Sequence, residues 1–299
     1  MNYDPRKITL DSIADAYISI HVIDLKEQKV YPVKTNIFID KCMDGQENLA
    51  DKMNAIMDII PIPEHRQMMK DFTNFSTIED RLNYFPTVFM DFKGMIHGWC
   101  RARFVKVTKD VDDPTRFLIF SVGCVDEEKK RADNLLYLSQ HDIMTGVYNR
   151  GTGEKMIGEL LKKKVPGLFC LFDIDKFKSI NDRYGHAMGD RAIISVAEAL
   201  KKSAINQKDI VLRLGGDEFA AYYVGIETED DAIKRINGLF ENVRNIDLSG
   251  MNEKITISLG AVLYEDGLDF DTIYHIADGG VYKTKHLDGN SYTISSALK

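Results

Sequence analysis

The run Ile210-Val-Leu-Arg-Leu-Gly-Gly-Asp-Glu-Phe-Ala-Ala-Tyr-Tyr-Val224 leaves the chain little freedom. Two apolar β-type stretches, separated only by Gly215, Gly216 and two carboxylates, describe a tight hairpin with acids at its tip. Glycine there lets the backbone approach a bulky ligand without a side chain intervening. Upstream, Leu168-Phe-Cys-Leu-Phe-Asp-Ile-Asp175 reads as a buried strand whose C-terminal end carries carboxylates. A strand-end acid beside a hairpin-tip acid is how oxygen ligands for Mg²⁺ are assembled around a nucleotide's phosphates. The pattern points to phosphoryl or nucleotidyl transfer.

The surrounding chain divides by pattern. At 299 residues it has room for about two domains. Residues 1–126 read as α+β: an alternating strand at 16–24, a second at 31–33, and a helix at 50–60 ended by Pro61 and Pro63. Another helix is expected at 77–85, with Ser76 or Thr77 as N-cap and Pro86 after its end. Two long strands, 98–107 and 116–125, form a hairpin across a polar loop. Residues 127–141 form a charged linker helix carrying a narrow apolar stripe of Ala132, Leu135, Leu136 and Leu138. That stripe either packs on its own domain or pairs with a second protomer as a short coiled coil. Residues 142–299 alternate regularly between helices and strands, which predicts one mixed sheet covered by helices.

Composition narrows the function. An apolar fraction of 44% and a charged fraction of 28% fit an ordinary soluble globular protein. No membrane segment is expected, because no run approaches the roughly 20 apolar residues of a span. With no signal peptide visible, the expected location is cytoplasmic. Cys42, Cys100, Cys124 and Cys170 lack metal-type spacing, and three lie in apolar strand-like runs, which suits buried free thiols. A net charge of −7 argues against a nucleic-acid partner, yet leaves room for a nucleotide.

Asp173, Asp217 and Glu218 are the acids expected to do chemistry; the plainer alternative is a set of solvated loop carboxylates. Asp175, two residues beyond Asp173, either faces the same way or caps the following helix. Lys178 is placed to meet a phosphate or to sit solvated on the surface. Asn181-Asp-Arg-Tyr-Gly-His186, followed by Gly189-Asp190, reads as a polar glycine-containing loop. Asn and Asp together suit a guanine edge, while Asp190 alternatively caps the Arg191 helix.

Asp142-Ile-Met-Thr-Gly-Val-Tyr-Asn-Arg150, Asp173-x-Asp-x-Phe-Lys-x-x-Asn-Asp-x-x-Gly-His-x-x-Gly-Asp190, Gly215-Gly-Asp-Glu-Phe219, Thr256-Ile-Ser-Leu-Gly260 and Asp278-x-x-x-Tyr282-x-x-Lys285 together resemble the GGDEF domain of diguanylate cyclases. The likeness covers residues 142–299 and rests on several separate motifs. It implies a fold related to nucleotidyl cyclases and polymerase palms, working as a homodimer. Each half-site would bind one GTP with Mg²⁺ (Mn²⁺ as the alternative), and the product would be cyclic di-GMP. Asp173 and Asp217 would be metal ligands, with the Ile174 carbonyl as a third. Asp217 or Glu218 would help deprotonate the 3′-hydroxyl. Asn181, His186 and Asp190 would hold guanosine, Gly215 and Gly216 would let the substrate approach, and Lys178 and Lys285 would neutralise phosphate.

Two departures matter. Gly289 stands where active relatives usually carry an arginine, which would weaken GTP binding or pass that role to a neighbour such as Lys283. Asn206-Gln-Lys-Asp209 lacks the arginine of the family's Arg-x-x-Asp product-inhibition site, so little feedback inhibition is expected there. The N-terminal region resembles a PAS sensor in architecture only. No flavin-type cysteine motif is visible, and His21, His65 and His97 read as ordinary polar or core histidines. The leading expectation is a sensor-regulated cyclase. Its rivals are a degenerate domain that binds GTP or cyclic di-GMP without synthesis, and a cyclase with relaxed base choice.

Overall fold

A computed structural model describes residues 16–34, 37–43, 45–46, 48–108, 116–285, 287 and 289–295. The chain divides into two compact units, with the boundary in sequence between Asn134 and Leu135.

In the N-terminal unit, strands β1 (Ser19–Asp24), β2 (Lys29–Lys34), β3 (Thr87–Gly94), β4 (Gly98–Lys106) and β5 (Phe117–Cys124) make an antiparallel sheet in the order β2-β1-β5-β4-β3. Among the described residues, the α-helices between β2 and β3 are α1 (Ile37–Met43), α2 (Leu49–Ile59), α3 (Arg66–Phe72) and α4 (Phe75–Tyr84). Asn48 caps α2 by accepting from the Asp51 amide, and Leu49, Met53, Ile56 and Met57 form its buried stripe. Phe104 and Phe120 pack 4.7 Å apart, centroid to centroid, in the core beneath.

The structure corrects several sequence expectations here. The cap of α4 is Asn74, whose Oδ1 accepts from the Ser76 amide, rather than Ser76 or Thr77. Strand β1 is buried almost throughout instead of alternating, because it lies between β2 and β5 inside the sheet. Strand β3 and helices α1 and α3 were not anticipated. Cys124 is exposed rather than buried. Most of the polar loop expected between the last two strands, 109–115, lies outside the described residues.

The linker helix α5 (Asp126–Gln140) has no buried residue, so its apolar stripe is not packed away. The C-terminal unit is a six-stranded mixed sheet in the order β11-β10-β7-β9-β8-β6. These strands are β6 (Tyr148–Asn149), β7 (Gly167–Ile174), β8 (Ile210–Gly215), β9 (Glu218–Val224), β10 (Ile257–Leu263) and β11 (Ser291–Ser295). The helices are α6 (Arg150–Lys162), α7 (Phe177–Tyr184), α8 (His186–Ser203), α9 (Glu229–Arg244) and α10 (Phe270–Thr284).

Every residue of β7 is buried, which its unbroken apolar run requires of a strand covered on both faces. Alternation then splits the strand between two cores. Leu168, Cys170 and Phe172 join the core built with α8 and α9, while Phe169 and Leu171 join the one built with α6 and α10. Among the described residues, no helix is long and apolar enough to cross a membrane.

Candidate active site

The site forms where β7 ends. Asp173 lies opposite Glu218 on β9 and opposite Ser258 on β10. The Ile174 amide donates to the Asp217 carbonyl at 3.4 Å, so the strand end and the hairpin tip are joined through backbone. Gly216 adopts φ +52° in the turn between β8 and β9, a region that favours glycine. The Arg213 guanidinium holds this turn, donating to the Gly216 carbonyl at 2.8 Å and to the Asp142 carboxylate at 3.2 Å. Asp142 accepts in addition from the Thr145 amide and hydroxyl, at 2.9 and 2.6 Å. Burial raises the Asp142 pKa, but Thr145 and Arg213 outweigh it and hold the carboxyl below its ordinary value.

A cleft of about 470 Å³ opens beside the strand end, lined by Asp173, Ile174, Lys178, Asp217 and Lys285, together with Asp175, Lys176, Phe177, Thr256, Leu287 and Gly289. Lys285, at the end of α10, reaches Asp173 at 2.8 Å. Burial pushes the Asp173 pKa up, Lys285 opposes the shift, and Asp217 and Asp175 add to it; the net direction is upward. Glu218 is raised as well, by burial first and then by repulsion from Asp173 and Asp217. Burial works against the Lys285 ammonium, yet the surrounding carboxylates raise its pKa on balance.

Asp175 faces the same cleft as Asp173, as one of its two readings expected, and does not cap the next helix. Its oxygens accept from the Thr256 and Ser258 hydroxyls, both at 2.6 Å. Helix α7 begins after Lys176, which sits at φ +54° and gives no side-chain cap. Asp190 does not cap the Arg191 helix either. Helix α8 starts at His186, so Asp190 lies in its second turn and is exposed.

The segment read as a loop, 181–186, is largely helix. Asn181 lies on α7, with its Oδ1 where a Cβ on Gly189 would stand, so this glycine is what lets α7 and α8 touch. His186 and Asp190, four residues apart, share one exposed face of α8. Asn181, His186, Asp190, Gly215, Gly216 and Glu218 do not line the cleft itself. Lys283 does not line it either, whereas Lys176 is part of the wall. Sequence reasoning overlooked Thr256 and Ser258 as the residues that fix Asp175. Their spacing of two on a strand was the available signal.

Among the described residues, no group of three or more His, Cys, Asp and Glu side chains could hold a metal ion unaided. The donors at the strand end are hard oxygens on Asp173 and Asp217, beside the Ile174 carbonyl, which suits Mg²⁺. Mg²⁺ takes most of its ligands from water and phosphate, so a small protein set fits it.

The family described as "Diguanylate cyclase, GGDEF domain" matches residues 139–291. Among curated proteins, the chain is 33% identical over 172 residues to the probable diguanylate cyclase DgcT of Escherichia coli K12, covering 54% of this chain and 37% of that protein. It is 27% identical over 185 residues to the E. coli diguanylate cyclase DgcM, covering 60% of this chain and 44% of the relative. The chain thus spans less than half the length of these relatives. Among solved structures, the coiled coil and GGDEF domain of DgcB from Caulobacter crescentus, in complex with c-di-GMP, superposes with a TM-score of 0.50 at 22% identity. That match covers 58% of this chain and 93% of the other, and it is a likeness of fold.

Proposed function

This chain belongs to the diguanylate cyclase GGDEF-domain family, and we propose that it condenses two GTP into cyclic di-GMP with release of two pyrophosphates. The observation that carries the reading is the convergence of Asp173, Asp217, Lys178 and Lys285 on one cleft at the end of β7. Each 3′-oxygen forms a bond to the α-phosphorus of the other GTP. The bond from that phosphorus to the bridging oxygen breaks, and pyrophosphate leaves with the electron pair.

Asp173, Asp217 and the Ile174 carbonyl would hold Mg²⁺, which would supply positive charge to the phosphates. Lys285 and Lys178 meet phosphate charge from the protein side. Glu218, whose pKa is raised, accepts the 3′-hydroxyl proton better than an ordinary carboxylate. Asn181, His186 and Asp190 hold the base, and a carboxylate at Asp190 favours guanine over adenine by accepting from N1–H and the 2-amino group.

The product joins two nucleotides held by two protomers, so catalysis requires a homodimer. The N-terminal unit acts as a PAS-like sensor that sets how the protomers meet. Asp209 gives support for weak feedback inhibition. Its carboxylate, fully buried, is committed to Arg235 at 3.2 Å and to the Val224 and Asn206 amides.

Gly289 supports a second reading, a domain that binds GTP or cyclic di-GMP without synthesis. It lies in the cleft wall and offers no side chain to phosphate. Pyrophosphate release from GTP and Mg²⁺ separates the two. The cyclase reading expects turnover by the wild type and a loss of about 10²–10³ in Asp217→Ala. GTP binding with equal, background release from both proteins hands the site to the second reading.

A further inference from the structure

The N-terminal unit encloses a second cavity, of about 520 Å³, between the sheet and helices α1 and α2. Protein interiors hold few voids larger than a water molecule, so a space of this size is not a packing fault. Its volume falls in the range of small-molecule sites, roughly 300–1,000 Å³. The wall is almost wholly apolar, with Phe92 and Phe120 from the sheet facing Met53 and Met57 from α2. An apolar wall holds water poorly and prefers an apolar occupant. Methionine, with three rotatable bonds, lets such a wall adapt to a flexible chain.

Two further observations narrow the class. The cavity has an apolar lip: Ile59, Met95 and Ile96 line it and are 44%, 60% and 67% exposed. An apolar body therefore meets apolar surface along its route inward. Lys52 is the one formally charged residue of the lining, and no Asp or Glu lines it. Lys52 is half-buried, and among the described residues no carboxylate pairs with it. A half-buried ammonium beside an apolar cavity favours one anionic group at the end of an apolar body.

We propose that this cavity binds an amphiphile with a single carboxylate head, of the fatty-acid class, its chain among the methionines and its head at Lys52. The binding claim stands on the cavity alone and is read without nucleotide, so its failure and that of the cyclase reading are separate results. Only its meaning as a signal rests on the sensor reading.

Titration calorimetry on the full chain tests it, with dodecanoate as probe and dodecanol as its neutral counterpart. Saturable one-to-one binding of dodecanoate is expected, weakened about tenfold in Lys52→Gln, while dodecanol affinity stays unchanged in that variant. Met53→Trp, which fills the cavity, is expected to abolish binding of both. If Met53→Trp fails to fold, labelling of wild-type Cys100, a buried wall residue, gives the same reading: dodecanoate must slow its reaction with a maleimide. No saturable binding, equal dodecanoate affinity in wild type and Lys52→Gln, or full binding by a folded Met53→Trp would overturn the proposal.

Discussion

Asp173 and Glu218 stand where the fold makes negative charge expensive, and the proposed chemistry needs that charge. Burial raises both carboxyls, that of Glu218 although it is partly exposed; Asp217 and Asp175 add to the rise at Asp173, and Asp173 and Asp217 to that at Glu218. Two results follow at this scale. Turnover should decline with falling pH while still above the ordinary carboxylate range, because Glu218, the proposed proton acceptor, protonates early; a kcat profile against pH reads this. For stability the sign is the reverse of the usual carboxylate. A folded pKa above the unfolded one means the native state binds more protons, so the cost is present above the folded pKa and vanishes below the unfolded one. Glu218→Gln should therefore raise Tm at neutral pH, and the gain should shrink to nothing as pH falls through the window between those values. The acids themselves were legible in the sequence, since strand ends and hairpin tips are where a period of two runs out. Asp175 was not, because its partners Thr256 and Ser258 lie some eighty residues away, just before and within β10.

Among elements, the β8–β9 hairpin shows what positions the acids. Arg213 ties its turn to Asp142, at the start of the segment that leads from α5 into β6. Asp142→Asn keeps the shape and removes the charge; pyrophosphate release should fall about tenfold while the fold, followed by circular dichroism, persists. The seat of α10 on β10 is equally specific. A Cβ on Gly260 would collide with the Ala277 carbonyl, so Gly260→Ala should cost about 1–3 kcal/mol in urea unfolding. The sequence announced elements with strong periods, such as β7, α9 and the hairpin. It hid those without a signal. β3 is half-exposed, and its alternation of Val88, Met90 and Phe92 with Phe89, Asp91 and Lys93 is short and carries an apolar Phe89 on the outer face. The second half of α7, from Asn181, was read as a loop because it is polar and runs into Gly185. The sheet order could not be read locally, because β11 and β6 join it by parallel pairing from far along the chain.

For the whole molecule the central question is how two half-sites meet. Leu135, Leu136 and Leu138 on α5 are 67%, 57% and 40% exposed, an apolar stripe that a single chain leaves uncovered. Pairing with a second copy through this stripe is the arrangement the proposal requires. Leu135→Glu with Leu136→Glu should shift sedimentation toward monomer and lower turnover at dilute protein. The account stands or falls on the product. Purified chain incubated with GTP and Mg²⁺, its nucleotides separated and weighed by mass spectrometry, should yield cyclic di-GMP with two pyrophosphates for each molecule formed. GTP left intact by a protein that demonstrably binds it would contradict the account.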